Sequence, residues 1–168
     1  MAAGSTYTPI QTYTLGSSQT TITFSSIAST YTDLVIVMQH KVTGAATAAD
    51  GFMRFNSDSG TNYSITYLYG DNSSGRQSTQ GQIMWAIDST TEFAITEFHV
   101  MNYANTSVNK TVLIKQGVST LPVRAAALWR STAAINTISL TASDQLGSGT
   151  ADQFTTGSTF TLYGIAAA

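Results

Sequence analysis

Apolar and polar residues alternate along this chain with the period of strands. Ile22 and Phe24 alternate with Thr21 and Thr23 before a Ser25–Ser26 break. Met53 and Phe55 alternate with Phe52, Arg54 and Asn56, and Ile65, Tyr67 and Tyr69 form one face of the next segment, opposite Thr66 and Leu68. The same reading predicts strands at Ile83–Ile87, Phe93–Met101, Thr111–Lys115, Arg124–Arg130, Thr137–Thr141 and Thr159–Gly164. Leu34–Met38 is a continuous apolar run, the pattern of a central strand covered on both faces. The nearest approach to a helix is Val123–Trp129, whose alanines favour one, but it is short and bounded by Pro122. Turn-rich breaks separate these segments: GSS at Gly16, NSDSG at Asn56, GDNSSG at Gly70, NYANTSVN at Asn102 and SDQLGSGTADQ at Ser143. Many short strands punctuated in this way predict one all-β domain over residues 1–168, an antiparallel sandwich or barrel.

Charge changes the picture more than hydropathy does. Only 10% of residues are charged, against about 25% in ordinary globular domains. Solubility falls to hydroxyls and amides, with 48 Ser and Thr residues in the chain. Seven Lys and Arg against nine Asp and Glu leave no basic footprint for nucleic acid. A surface this weakly charged repels its neighbours weakly, which suits packing into an assembly; a monomer solvated by Ser and Thr is the alternative on composition alone. With 42% hydrophobic residues the chain can offset its ordering entropy and fold. The absence of cysteine excludes a disulfide framework and a Cys-based zinc site. MAAGSTYTPIQTYTL has neither a basic n-region nor a long apolar run, and no window offers the roughly 18 apolar residues of a membrane span. A soluble chain made in the cytoplasm, with no membrane partner, is expected.

Several residues invite a chemical reading. NSDSGTN begins like a calcium loop, with oxygen ligands at Asn56 and Asp58 and a glycine at Gly60. The position that needs a bidentate Glu is Tyr67, and strands flank the loop where helices are required. Asn, Asp and Gly are also turn formers, so a turn between two strands explains every residue there. His40 and His99 stand alone, without ligand spacing. His99 is opposite in phase to Phe98 and Val100, which predicts a surface or interface position, and His40 ends the Leu34 strand at a predicted rim. No nucleophile elbow is present, and the carboxylates Asp50, Asp58, Asp71, Asp144 and Asp152 fall in loops, with Glu92 and Glu97 nearer a strand. No pair is spaced for glycosidase chemistry. No enzyme and no cofactor are expected. The sequons at Asn62, Asn72, Asn105 and Asn109 are what chance supplies in a chain this rich in Asn, Ser and Thr. Tyr63, Tyr67, Tyr69, Trp85, Tyr103 and Trp129 are the aromatics available for stacking on sugars. The tryptophans read as core, Trp85 within IMWAI, and the tyrosines fit either role.

The ordered phrases YTPIQTYTLGSSQTTITFSSIASTYTDLVIVM, MRFNSDSGTNYSITYLYG, HVMNYANTSVNKTVLI, ALWRSTAAINTISL and GSTFTLYGI cover nearly the whole length. In that order they resemble a family of small virion structural proteins of tailed bacteriophages, of the kind common in cyanophages. The resemblance implies a β-sandwich of jelly-roll type on the outside of the particle. It implies a capsid cement or decoration protein, a homotrimer bound to the major capsid protein. Related modules in tail fibres and spikes give the alternative, a receptor-binding module for host surface glycan. RFNSDSGTNYS would then be a hairpin corner, with Tyr63 and Tyr67 packing the following strand. Interface candidates are the segment Ala2–Thr8, the loops Gly44–Asp50 and Leu146–Gln153, and the tail Ala166–Ala168. Within them Ala2, Tyr7, Ala45, Thr47, Asp50, Leu146, Asp152 and Ala168 are singled out. The implied location is the capsid surface of the virion.

Overall fold

The computed structural model describes residues 6–43, 49–87, 91–117, 122–144 and 152–166, and every regular element among them is a strand. In chain order these are β1 (Tyr7–Thr14), β2 (Thr21–Phe24), β3 (Asp33–His40), β4 (Ala49–Phe55), β5 (Tyr63–Tyr69) and β6 (Ser74–Gln80). They continue with β7 (Ile83–Ala86), β8 (Ala94–Met101), β9 (Lys110–Gly117), β10 (Pro122–Trp129), β11 (Ile138–Asp144) and β12 (Thr159–Ile165). All pairings are antiparallel, in an eight-stranded sheet ordered β1-β12-β3-β8-β9-β10-β5-β6 and a four-stranded sheet ordered β2-β11-β4-β7.

The predicted fold class is the one observed, a β-sandwich, and its winding is compatible with a jelly roll. Strand alternation makes the core. Leu34, Ile36 and Met38, with Phe98, Val100, Val112, Ile114, Phe160 and Leu162, line the inner face of the larger sheet. Against them stand Ile22, Phe24, Met53, Phe55, Ile83, Trp85, Ile138 and Leu140 of the smaller one. Rings bridge the layers, Trp85 meeting Phe98 edge-on at 4.9 Å and Phe55 meeting Trp129 at 5.4 Å.

The strand predicted at Arg124–Arg130 is present as β10, hydrogen-bonded to both β9 and β5, with Val123, Ala127 and Trp129 turned inward, so the alanines of Val123–Trp129 do not make a helix. Pro122 opens that strand, a position where its missing N–H is tolerated. Two expectations are corrected. Leu34–Met38 is central but is not covered on both faces; Val35 is buried beside Tyr163 and His99, whereas Val37 is 36% exposed. NSDSG is a turn, as expected, but not a hairpin, because β4 belongs to the smaller sheet and β5 to the larger. It carries the chain from one layer to the other.

The edges are guarded. β1 carries Pro9 and a register shift between Pro9 and Gln11, and the β5–β6 pairing carries one between Tyr63 and Ile65. The edges of the smaller sheet, β2 and β7, are only four residues long. Proline, bulges and short strands all discourage pairing with another chain.

Candidate functional site

The two ends of the sandwich are built differently. At one end the Asn56–Asp58 turn is held from several sides. Asn56 and Ser57 both take left-handed φ values, 51° and 58°, and the Asp58 amide closes the turn on the Phe55 carbonyl at 2.9 Å. Oδ1 of Asp58 accepts the Gly60 amide at 2.8 Å, and Oδ2 accepts the Asn62 amide group at 3.0 Å and the Trp129 indole N–H at 2.7 Å. These bonds, those from Asn62 and Trp129 foremost, hold the Asp58 carboxyl below the usual carboxylate range. The carboxylate that resembles a calcium ligand is therefore engaged by donors of the protein itself. Tyr63 is fully buried here, its hydroxyl accepting the Phe55 amide at 3.1 Å. The buried Lys110 ammonium donates to the carbonyls of Asn105, Val108 and Thr132.

At the other end the strands that flank the two predicted contact loops converge. Ala49 is paired with Asp144. The Thr43 amide donates to the Gln153 carbonyl at 2.8 Å, and the Gln153 amide returns a bond to Thr43 Oγ1 at 2.9 Å. The fold thus brings the anchors of both loops to one place, which sequence separation conceals. Asp50 is placed there by its backbone, opposite Ala86 and Ser143. Asp152 is 5% exposed, so its side chain is turned inside the fold. Tyr7 lies apart from this end of the sheet, 52% exposed on β1 and edge-on to Tyr163 at 6.1 Å. Ala2, Ala45, Thr47, Leu146 and Ala168 lie outside the described residues.

His40, expected at a rim, is fully buried near this end, edge-on to Phe154 at 6.3 Å. Burial pulls its pKa from the ordinary 6.5 down to about 4, with the nearby Met38 backbone opposing, so the ring is neutral at neutral pH. Neither ring nitrogen reaches a partner in hydrogen-bonding geometry among the described residues. Thr96 and Gln116, cross-strand neighbours on β8 and β9, are buried on the same inner face. The sequence holds the signal for His40: it is in phase with Leu34, Ile36 and Met38, the residues that face the core.

The outer face of the larger sheet is broad and mixed. Val37, Ile95, Leu113 and Leu68 are exposed there, Ile95 by 57% and Leu68 by 59%. His99 sits on this face, as its phase predicts, with Nε2 2.8 Å from Asp33 Oδ2; Asp33 Oδ1 accepts the Asn102 amide at 2.7 Å. A carboxylate orients this imidazole, yet among the described residues no hydroxyl is hydrogen-bonded to it. Lys115 and Glu97 pair across β9 and β8 at 2.6 Å.

The aromatic candidates separate by burial. Trp85, Trp129, Tyr63 and Tyr103 are core residues, whereas Tyr67 and Tyr69 are half-buried with ring centroids 5.1 Å apart.

No protein-family model matches the chain, and no curated protein matches it. Among solved structures, one of scytalido-glutamic peptidase with a peptide-based transition-state analogue is similar over 86% of this chain and 74% of its own, at 12% identity and a TM-score of 0.37. A likeness this low carries neither fold detail nor activity from that peptidase to this chain.

Proposed function

We propose that this protein is a non-enzymatic structural component of a tailed-phage virion, a cement or decoration protein that binds the assembled shell from outside. The resemblance of the ordered phrases to that family carries the reading. The β-sandwich supports it with guarded edges, few charges and a wide outer face bearing exposed aliphatic residues. A protein that binds only assembled shell stabilises it by mass action, and a homotrimer touching several subunits of the major capsid protein multiplies shallow contacts. On this reading the end of the sandwich at Thr43, Ala49, Asp144 and Gln153, which anchor the Gly44–Asp50 and Leu146–Gln153 loops, faces the shell.

Quantitative mass spectrometry of purified virions tests the reading. A copy number comparable to that of the major capsid protein is expected. A few copies per particle would move the chain to the tail or a vertex, and absence from the virion would overturn the reading altogether.

A tail-fibre or spike module recognising host glycan is the second reading, favoured by the half-buried Tyr67–Tyr69 ring pair. It requires sugar selectivity on a glycan array, which a cement protein lacks.

A further inference from the structure

A shallow groove of about 370 Å³ crosses β9, β10 and β5 on the outer face of the larger sheet. A second depression of about 340 Å³ continues it along β10, sharing Thr66 and Ala126. Register explains the shape. Ala126 lies opposite Leu113 on one side and Thr66 on the other, and Arg124 lies between Lys115 and Leu68. Strands sit about 4.8 Å apart, so a methyl group at Ala126 leaves a trough between the larger side chains of Leu113 and Leu68.

The polar rim is cationic. Lys115 and Arg124 border the first depression and Arg76, opposite Thr66, borders the second. Glu97 neutralises Lys115. Among the described residues, neither Arg124 nor Arg76 is within ion-pairing distance of a carboxylate. A chain with formal net charge −2 therefore concentrates unpaired positive charge around an apolar trough. From Arg124 to Leu128 the strand runs roughly 13 Å, the reach of about four extended residues.

We infer that this groove docks an extended, acidic segment of a partner polypeptide, with one aliphatic side chain seated over Ala126 between Leu68 and Leu113 and carboxylates facing Arg124 and Arg76. The inference rests on the reading of the chain as a protein that clamps other subunits, and it supplies the chemistry of the clamped segment. Guarded edges disfavour docking by strand addition, which leaves the face. A second copy laid face to face would bring the same unpaired guanidinium groups together, whereas an acidic segment complements them.

The test uses the purified full chain and two fluorescein-labelled pentapeptides, Asp-Leu-Glu-Val-Asp and its counterpart Lys-Leu-Lys-Val-Lys, read by fluorescence anisotropy. The acidic peptide is expected to bind saturably and more weakly as salt is raised. Arg124→Glu, on an exposed position, is expected to weaken it roughly tenfold or more. Ala126→Leu, which fills the trough, is expected to do the same, with thermal melts confirming that each variant folds. Equal binding of both peptides, no binding of either, or binding unchanged in Arg124→Glu would overturn the inference. So would concentration-dependent dimerisation by light scattering that Arg124→Glu abolishes, since the occupant would then be a second copy. Virion copy number is independent of these outcomes, so failure here and failure of the cement reading are told apart.

Discussion

The indole N–H of Trp129 donates to the Asp58 carboxylate at 2.7 Å, joining the last residue of β10 to the turn that carries the chain between sheets. Trp129 is 2% exposed, so its N–H has little access to water if that acceptor is removed. The bond is local in space and 71 residues apart in sequence.

Asp58→Ala is expected to lower unfolding free energy by about 2 kcal/mol at neutral pH, the cost of stranding a buried donor that had a charged acceptor. Urea titration checks this. Because the folded carboxyl titrates below its ordinary 3.8, its contribution is complete above that value and lost as pH falls through the folded one. The difference between wild type and variant should therefore narrow in strong acid, where the acceptor is a neutral carboxyl.

Asn56 separates backbone from side-chain effects. Its Oδ1 accepts the amides of Asn136 at 2.9 Å and Thr137 at 3.2 Å, its Nδ2 donates to the Ala134 carbonyl at 2.8 Å, and its φ is 51°. Asn56→Gly loses the bonds while tolerating the conformation. Asn56→Ala loses both and is expected to be less stable than the glycine variant by about 1 kcal/mol. Equal melting of the two variants would refute the strain component.

His40 predicts an acid weakness. A histidine whose folded pKa is about 4 binds no proton in the fold at pH 5, whereas the unfolded chain takes one up below about 6.5. Stability is therefore whole above pH 6.5 and falls toward pH 4, by roughly 3 kcal/mol from this group. Denaturation midpoints across that range should slope for wild type and flatten in His40→Met.

Gly51 lies against Trp85 on the neighbouring strand, and a Cβ there would overlap the indole. Gly51→Ala must displace the ring or the strand, at about 1–3 kcal/mol. A red shift of tryptophan emission in the folded variant would report the displaced ring.

Much of the fold is legible from alternation alone. β8 and β12 show it plainly, because each buries every second residue beneath the smaller sheet. β1 and β6 are not legible as strands: SGRQSTQ and most of YTPIQTYT have no apolar face, because these two edge strands of the larger sheet are exposed or half-buried along their length. β10 carries two signals, alanines that favour a helix and a strand predicted at Arg124–Arg130, and its pairing with β9 and β5 makes it a strand. The groove on its outer face is hidden because it depends on which side chains flank Ala126 across the sheet. His40 ends its strand, which points to a rim, yet its phase with Leu34, Ile36 and Met38 turns it into the core. The Asp58–Trp129 bond and the convergence of the residues that anchor the two predicted contact loops depend on which strands become neighbours, and no local pattern carries that.

Strand order also dictates when this protein can finish folding. β12 lies between β1 and β3, pairing with Tyr7–Thr14 on one flank and Asp33–Gln39 on the other. Among the described residues β1 therefore has no strand to pair with until β12 has been made. Closure of the larger sheet waits on that distant pairing, and distant pairings are slow. Until then the edge of β3 that pairs with β12 stands open, so a chaperone that shields it should raise the yield of native protein.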